Sequence, residues 1–149
     1  RLLHNKNVAL NLKNNTFLLE EFIVQEFEKG RINSNSFTTT AQQIKIHVHC
    51  HQKALSNSQF TYKFLQIPKN YSATLIASGC CGMAGAFGFE DAHYAVSMQM
   101  ANLQLLPALR NTKPEILVAA NGTSCRHQIK EGVNINAQHP ITILRQALK

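Results

Sequence analysis

Four cysteines are the residues of this sequence best suited to chemistry. They are Cys50, the adjacent pair Cys80 and Cys81, and Cys125. Thiolates bind soft metal centres, and both zinc and iron–sulfur sites use them. Structural zinc sites commonly take their ligands as two close pairs, whereas the spacing here is one, two and one. Adjacent thiols do not easily occupy two corners of one tetrahedron, but they can bind different irons, so the spacing favours an iron–sulfur site.

A disulfide framework is another use for four cysteines, and two features disfavour it. Adjacent cysteines rarely pair with each other, because the disulfide geometry strains the peptide between them. A chain of 149 residues is also long enough to bury a hydrophobic core that is stable without disulfide bonds. We therefore expect free thiols in a reducing compartment, the cytoplasm.

Several glycines surround the adjacent pair of cysteines. Within ten residues the chain places Gly79, Gly82, Gly85 and Gly88. Glycine lets the backbone wrap tightly and present its amides to sulfur or to an anion, although an ordinary tight turn between a strand and a helix has the same composition. A phosphate-binding loop is disfavoured, because neither the dinucleotide fingerprint nor a Gly-Lys-Ser/Thr ending is present.

Histidines and one arginine accompany the cysteines. His47, His49 and His51 alternate along the chain and would share one face if all three belonged to a strand. Arg126 either holds a carboxylate or is simply solvated. The side chains that we expect around the thiols, as supporting or substrate-binding groups, are His49, His51, Gly82, Arg126, His127 and His139.

Strands alternating with helices are the elements that must position these residues. Short β-branched runs at residues 44–48, 73–77 and 115–119 each precede a cysteine. Helical segments are predicted at residues 52–65, 90–106, 125–130 and 140–148. This alternation predicts an α/β fold with three layers, in which helices flank a mostly parallel sheet. The cysteine motifs would then meet at the carboxyl ends of the strands.

The first 43 residues read as a lead-in to this α/β domain, which we place at residues 44–149. A helix is predicted at residues 17–29, followed by an exposed polar loop at residues 33–43. The sequence begins with Arg, without an initiator Met or a leader peptide, so we expect a fragment of a longer polypeptide.

Charge and hydropathy disfavour two classes of partner. The net charge is +7, but the 15 basic residues are scattered and never form a run, so we expect no nucleic acid. A basic surface that docks to an acidic partner is the remaining role for that charge. No apolar run reaches the roughly 20 residues that cross a bilayer, so any membrane contact would be made through a partner.

Four motifs in order resemble the cysteine-rich CCG domain of iron–sulfur oxidoreductases, the type found in heterodisulfide reductase and in the glycolate oxidase iron–sulfur subunit. The segments are HCHQK at residues 49–53, GCCGMAG at 79–85, GTSCRHQI at 122–129 and HP at 139–140. Within that family the likeness points to the C-terminal part of fusion proteins that join an FAD-linked oxidase to an iron–sulfur part and oxidise D-2-hydroxy acids.

This resemblance implies an electron-transfer domain with an iron–sulfur cluster, most simply 4Fe-4S, held by the four cysteines. It also implies upstream FAD and ferredoxin-like domains or subunits as partners. In the heterodisulfide reductase branch a fifth thiol ends the domain, whereas this sequence has Gln128 at that position. A conventional cluster, an altered cluster and a site without a cluster all remain open.

Two other classes of function compete with electron transfer. One is a catalytic module whose thiols or histidines act on a disulfide or bind a substrate. The other is a structural zinc domain, or a metal-free one, that serves in docking. The sequence contains no segment that could accept a hydride, so we expect the fragment alone to be inactive as a dehydrogenase.

Overall fold

The structure, a computed structural model, describes residues 5–149. Over that range the chain forms eight α-helices and three β-strands. The helices are α1 (Lys6–Asn14), α2 (Leu19–Glu28), α3 (Cys50–Leu55), α4 (Gln59–Leu65), α5 (Asp91–Leu103), α6 (Leu105–Leu109), α7 (Thr123–Val133) and α8 (Pro140–Gln146). The strands are β1 (Gln42–His47), β2 (Tyr71–Leu75) and β3 (Leu117–Ala120).

The three strands form one parallel sheet in the order β2-β1-β3. In the central strand Ile46 lies opposite Leu75 on one side and Ala119 on the other. A single bridge between Ala119 and Gln138 extends the sheet beyond β3. Parallel neighbours require a crossover connection, and helices supply it after each strand. The predicted α/β class is confirmed.

Two hydrophobic clusters cover opposite faces of the sheet. Ile44 and Ile46 of β1 pack with side chains of α4 and α8, including Phe64 and Ile143. On the other face Val118 of β3 packs against α6 and α7, and the Lys45 ammonium donates to the Ala108 carbonyl oxygen at 2.9 Å. The alternation of side chains along each strand sorts them between these two faces. The predicted three-layer arrangement is therefore confirmed.

Two of the predicted helices are each divided in the structure. The segment predicted at residues 52–65 is broken at Ser56, whose backbone is extended. The segment predicted at residues 90–106 is broken at Gln104. Proline has no N–H to bond the carbonyl four residues earlier, and its ring crowds that carbonyl. Pro107 therefore ends α5 at Leu103 and lies instead in the first turn of α6, where its missing donor costs little.

The lead-in segment differs from its prediction in two respects. The structure contains a helix, α1, that was not predicted. The helix predicted at residues 17–29 corresponds to α2. The polar loop is not wholly exposed, because Phe37 is buried and forms an antiparallel bridge with Leu148. The first four residues of the predicted lead-in lie outside the described residues. Within residues 5–149 no helix has the length and apolar character to cross a membrane.

Candidate metal centre

The four cysteines meet at one edge of the sheet. Cys50 begins α3 soon after β1, Cys80 and Cys81 lie in the loop that follows β2, and Cys125 lies in the first turn of α7 after β3. The carboxyl ends of parallel strands share an edge, so topology alone brings these segments together. All four thiols are free.

The sulfur atoms of the adjacent residues Cys80 and Cys81 have different neighbours. The sulfur of Cys81 lies 3.2 Å from the sulfur of Cys125. The Cys80 sulfur instead accepts the Gly82 N–H at 3.4 Å, and Cys50 is among the neighbouring thiols that raise the pKa of Cys80. Consecutive residues thus send their sulfur atoms to different partners, as a centre with more than one metal ion would require.

Burial and charge make the four thiols unequal. Cys81 and Cys125 are 4% and 1% exposed, whereas Cys50 is exposed and Cys80 is half-buried. The Cys125 S–H donates to Cys81 and lowers the pKa of the Cys81 thiol, while the same contact and burial raise the pKa of Cys125. Burial is the main cause that raises the pKa of Cys80. The buried pair therefore favours one thiolate and one thiol.

His47 joins this buried pair, which the sequence did not predict. One ring nitrogen of His47 and the sulfurs of Cys81 and Cys125 all lie within 4.8 Å of one another. The imidazole is fully buried, and its Nδ1 lies 2.8 Å from the Ser78 hydroxyl oxygen. Its Nε2 has no hydrogen-bond partner among the described residues.

The alternation predicted for the three histidines is wrong beyond His47, because β1 ends at that residue. His49 lies outside the strand and caps α3, with its Nδ1 accepting the His51 N–H at 3.2 Å. The change from strand to helix therefore removes the shared face. His47 is the last residue of a buried strand, and this position is the feature that could have indicated its place beside the cysteines.

Three of the predicted supporting histidines line one cavity, which Gly122 also lines. His139 caps α8 by accepting the Ile141 N–H through Nδ1 at 3.2 Å. The cavity has a volume of about 310 Å³, and its polar lining includes His49, His51, His139, Glu20 and Asn121. Glu20 is buried and accepts a hydrogen bond from the Asn121 amide. Burial lowers the pKa of His139.

Arg126 and His127 make contacts of a different kind. The Arg126 guanidinium donates to the carbonyl oxygens of Ala120 and Asn121, at 2.9 and 2.7 Å. These bonds satisfy carbonyls at the carboxyl end of β3. His127 is exposed, and its ring lies edge-on to Phe89 with centroids 5.9 Å apart.

Two glycines permit close packing around the sulfurs. Gly82 has a φ of +93°, a conformation that side chains rarely adopt, and a Cβ there would meet the Ser97 carbonyl oxygen. A Cβ at Gly122 would lie 2.5 Å from His49 Cδ2 and 3.0 Å from Cys125 Sγ. Both positions therefore require glycine for packing.

Gln128 is committed to a structural contact. Its amide nitrogen donates to the Ser97 hydroxyl at 2.9 Å and to the Ser97 carbonyl oxygen at 3.1 Å. The side chain is 3% exposed and links α7 to α5. Its amide donor is thus satisfied within the protein.

The residues present fit an iron–sulfur cluster. Four sulfur donors converge from three segments, and soft thiolates suit iron. Beside them Nε2 of His47 is a buried nitrogen without a partner in the described part of the chain. Buried polar atoms are nearly always satisfied, so the orphaned nitrogen also favours a bound group.

This chain belongs to the cysteine-rich domain family known as CCG, whose sequence pattern matches residues 44–130. The matched range contains all four cysteines. The family resemblance read from the four motifs is confirmed.

Curated relatives include a dehydrogenase subunit and two dehydrogenases. The chain is 29% identical to one of the subunits of the anaerobic glycerol-3-phosphate dehydrogenase of Escherichia coli over 106 residues, which cover 71% of this chain and 26% of that protein. It is 35% identical to D-2-hydroxyglutarate dehydrogenase of Haemophilus influenzae over 71 residues, 48% of this chain and 7% of that protein. With the enzyme of that name from Pantoea ananatis, the identity is 27% over 137 residues, 90% of this chain and 13% of that protein.

The chain therefore spans about a quarter or less of the length of these relatives. No solved structure matches it.

Proposed function

We propose that this chain is an iron–sulfur electron-transfer domain of an FAD-dependent oxidoreductase, with Cys50, Cys80, Cys81 and Cys125 as cluster ligands. The proposal rests on the different neighbours of the adjacent cysteines Cys80 and Cys81. Cys81 lies beside Cys125, whereas Cys80 accepts the Gly82 N–H and has Cys50 among the thiols that raise its pKa. A single tetrahedral ion cannot easily use both neighbouring thiols, whereas a cluster presents separate irons to them.

The surroundings of the thiols suit an electron carrier better than a catalyst. Cys81 and Cys125 are almost fully buried, so a substrate cannot approach their sulfurs directly. When bound, an iron–sulfur cluster would accept and release single electrons. The protein excludes water around the buried pair, and Cys50 lies at the exposed end of the site, where a redox partner can approach.

The rest of the reaction belongs to other parts of the natural protein in this proposal. The relatives are named for dehydrogenation of glycerol 3-phosphate and of D-2-hydroxyglutarate. We assign FAD and ferredoxin-like clusters to separate domains or subunits, and a D-2-hydroxy acid as the substrate. Residues 1–43 lead into the domain, and residues 44–149 form it. Free thiols favour a reducing compartment, the cytoplasm, with any membrane contact through a partner.

A structural zinc site is the second candidate, and one observation favours it. His47, Cys81 and Cys125 offer three ligand atoms within 4.8 Å of one another, as three corners of a mononuclear site would. Such a site would leave Cys50 and Cys80 without a role in binding. The two candidates therefore differ in metal content and in their need for Cys80.

Metal analysis of the natural protein that carries this chain, purified without oxygen, distinguishes the candidates. We expect matched iron and acid-labile sulfide with visible charge-transfer absorption, and a loss of both in Cys80→Ser and Cys81→Ser. Ser124→Ala, next to Cys125, is the control and should retain them. Because other domains carry clusters of their own, the quantity compared is the difference in iron and sulfide content between each variant and the wild-type protein. Stoichiometric zinc that iron cannot displace, retained in Cys80→Ser, would refute the cluster.

A further inference from the structure

His47 carries a ring nitrogen whose partner the described residues do not supply. The side chain is fully buried at the last position of β1. Its Nδ1 is 2.8 Å from the Ser78 hydroxyl oxygen, whereas Nε2 makes no hydrogen bond within residues 5–149. Buried polar atoms nearly always have a hydrogen-bond partner, so this unpaired nitrogen indicates that another group binds next to it.

The neighbours of the His47 imidazole identify this group. One ring nitrogen of His47 lies within 4.8 Å of the sulfurs of both Cys81 and Cys125, the most deeply buried thiols of the site. Imidazole nitrogen is a good ligand for iron as well as for zinc. We infer that Nε2 of His47 is a fifth protein ligand of the metal centre. This inference rests on the proposed cluster and deepens it by naming a nitrogen donor.

Ser78 positions the imidazole for this role. When Nδ1 carries the proton and donates to the Ser78 hydroxyl, Nε2 presents its lone pair towards the thiols. A ligating histidine typically donates its other N–H in this manner, which fixes the ring and its tautomer. Ser78 is itself held in place, because the Lys53 ammonium donates to its carbonyl oxygen at 2.5 Å and its own N–H donates to Ile76 at 2.8 Å.

Other side chains near the site are less suited to the position. Gln128 stands where the resemblance expects a fifth thiol, but its amide donates twice to Ser97. The His49 ring caps α3 through Nδ1 and lies against Gly122. The His127 ring contacts Phe89 on the exposed side of α7. His47 is the imidazole that the structure buries against the thiols.

A nitrogen ligand changes the electronic character of the centre. A neutral imidazole carries no charge, whereas a thiolate adds one negative charge to the cluster. Compared with a thiolate in this fifth position, a neutral imidazole makes reduction of the cluster easier, as histidine in place of cysteine does in two-iron clusters. The inferred ligand set therefore predicts a higher reduction potential than five thiolates would give at the same site.

Pulsed electron paramagnetic resonance of the natural protein tests the inference. The protein is prepared without oxygen in a paramagnetic oxidation state, once with ordinary histidine and once with ¹⁵N-histidine. We expect a coordinated-nitrogen coupling that changes on labelling, disappears in His47→Gln and persists in His127→Gln. Ser78→Ala keeps the imidazole but removes its hydroxyl partner, so the coupling should change in size.

The outcomes separate this inference from the proposed function. Cysteine-dependent iron and sulfide without any coordinated-nitrogen coupling would overturn the ligand role of His47 and leave the cluster in place. A coupling that survives in His47→Gln would also overturn it, because another nitrogen would then be bound. If Cys81→Ser contains as much iron and sulfide as the wild-type protein, the proposed function and the inference are both refuted. If His47→Gln does not fold, the labelled wild-type protein and Ser78→Ala still decide the question.

Discussion

The sulfur of Cys81 lies 3.2 Å from the sulfur of Cys125, although 44 positions separate these residues in the sequence. The fold creates this contact, because Cys81 follows β2 and Cys125 follows β3 across the intervening strand β1. Without a metal, two buried thiols at this distance share a proton. The Cys125 S–H donates to Cys81, and the nearby imidazole of His47 also lowers the pKa of Cys81.

The metal-free protein should hold a thiolate at unusually low pH. The pKa of Cys81 is lowered to about 4, first by the hydrogen bond from Cys125, whereas an ordinary thiol has a pKa of about 8.5. Thiolate absorbance in the ultraviolet should therefore persist below neutral pH and disappear only as the pH falls towards the lowered value. Cys125→Ala should raise the pKa of Cys81, because the donor is lost while burial still disfavours the charge.

Cys50→Ala is the matched control for this titration. Cys50 is exposed, and its thiol is not among the groups that lower the pKa of Cys81. The low-pH thiolate should persist in that variant. A metal-free wild-type protein whose thiols all titrate in the ordinary range would contradict the shared proton.

Gly122→Ala should disturb the metal centre by crowding. The added Cβ would lie 2.5 Å from His49 Cδ2 and 3.0 Å from Cys125 Sγ, so at least one of these groups must move. We expect the free energy of unfolding to fall by about 1–3 kcal/mol, as overpacking generally causes. The iron retained during desalting should also decrease. Urea unfolding and iron determination measure the two effects.

Gly79→Ala is the control, since Gly79 directly precedes Cys80. A Cβ there would come no closer than 3.9 Å to the Gln104 side chain, and no positive φ requires glycine. The free energy of unfolding should stay within about 0.5 kcal/mol of wild type. Equal losses of iron in both alanine variants would show that the Gly122 contact has no special importance.

Gln128→Leu should weaken the fold without removing metal. The substitution leaves the Ser97 carbonyl and hydroxyl without the amide donor that now lies at 3.1 and 2.9 Å. Unsatisfied buried groups cost about 1–3 kcal/mol, so urea unfolding should show a decrease of that size. Iron and sulfide content should match wild type. Loss of the cluster from a folded Gln128→Leu protein would instead make Gln128 part of the metal centre.

The convergence of the cysteines could be predicted because it depends on topology. Three hydrophobic runs, each followed by a cysteine, require the strand ends to meet once the sheet is parallel. The partner of each sulfur could not be predicted, because it depends on backbone torsions in the loop around Gly82, whose φ is +93°. Those torsions come from tertiary packing against Ser97, which local sequence does not reveal.

The role of His47 was hidden by a strand boundary. Alternation grouped His47 with His49 and His51, but β1 ends at His47 and the next turn redirects the chain into α3. Strand ends depend on which backbone groups find partners in the sheet, and His47 is the last residue of β1 paired with β3, opposite Ala120. Periodicity cannot locate that last pair, since the β-branched run continues to Val48.

Electron delivery in the natural protein that carries this chain tests the electron-transfer role most directly. The protein and its Cys81→Ser and Ser124→Ala variants are mixed without oxygen with D-2-hydroxyglutarate as the probe substrate, and stopped-flow spectra follow the flavin and an added electron acceptor. A carrier acts after the hydride has left the substrate, so Cys81→Ser should reduce the flavin at the wild-type rate and lose delivery to the acceptor. Ser124→Ala should retain both steps. A folded Cys81→Ser protein that no longer reduces its flavin, or that still delivers electrons at the wild-type rate, would contradict this role.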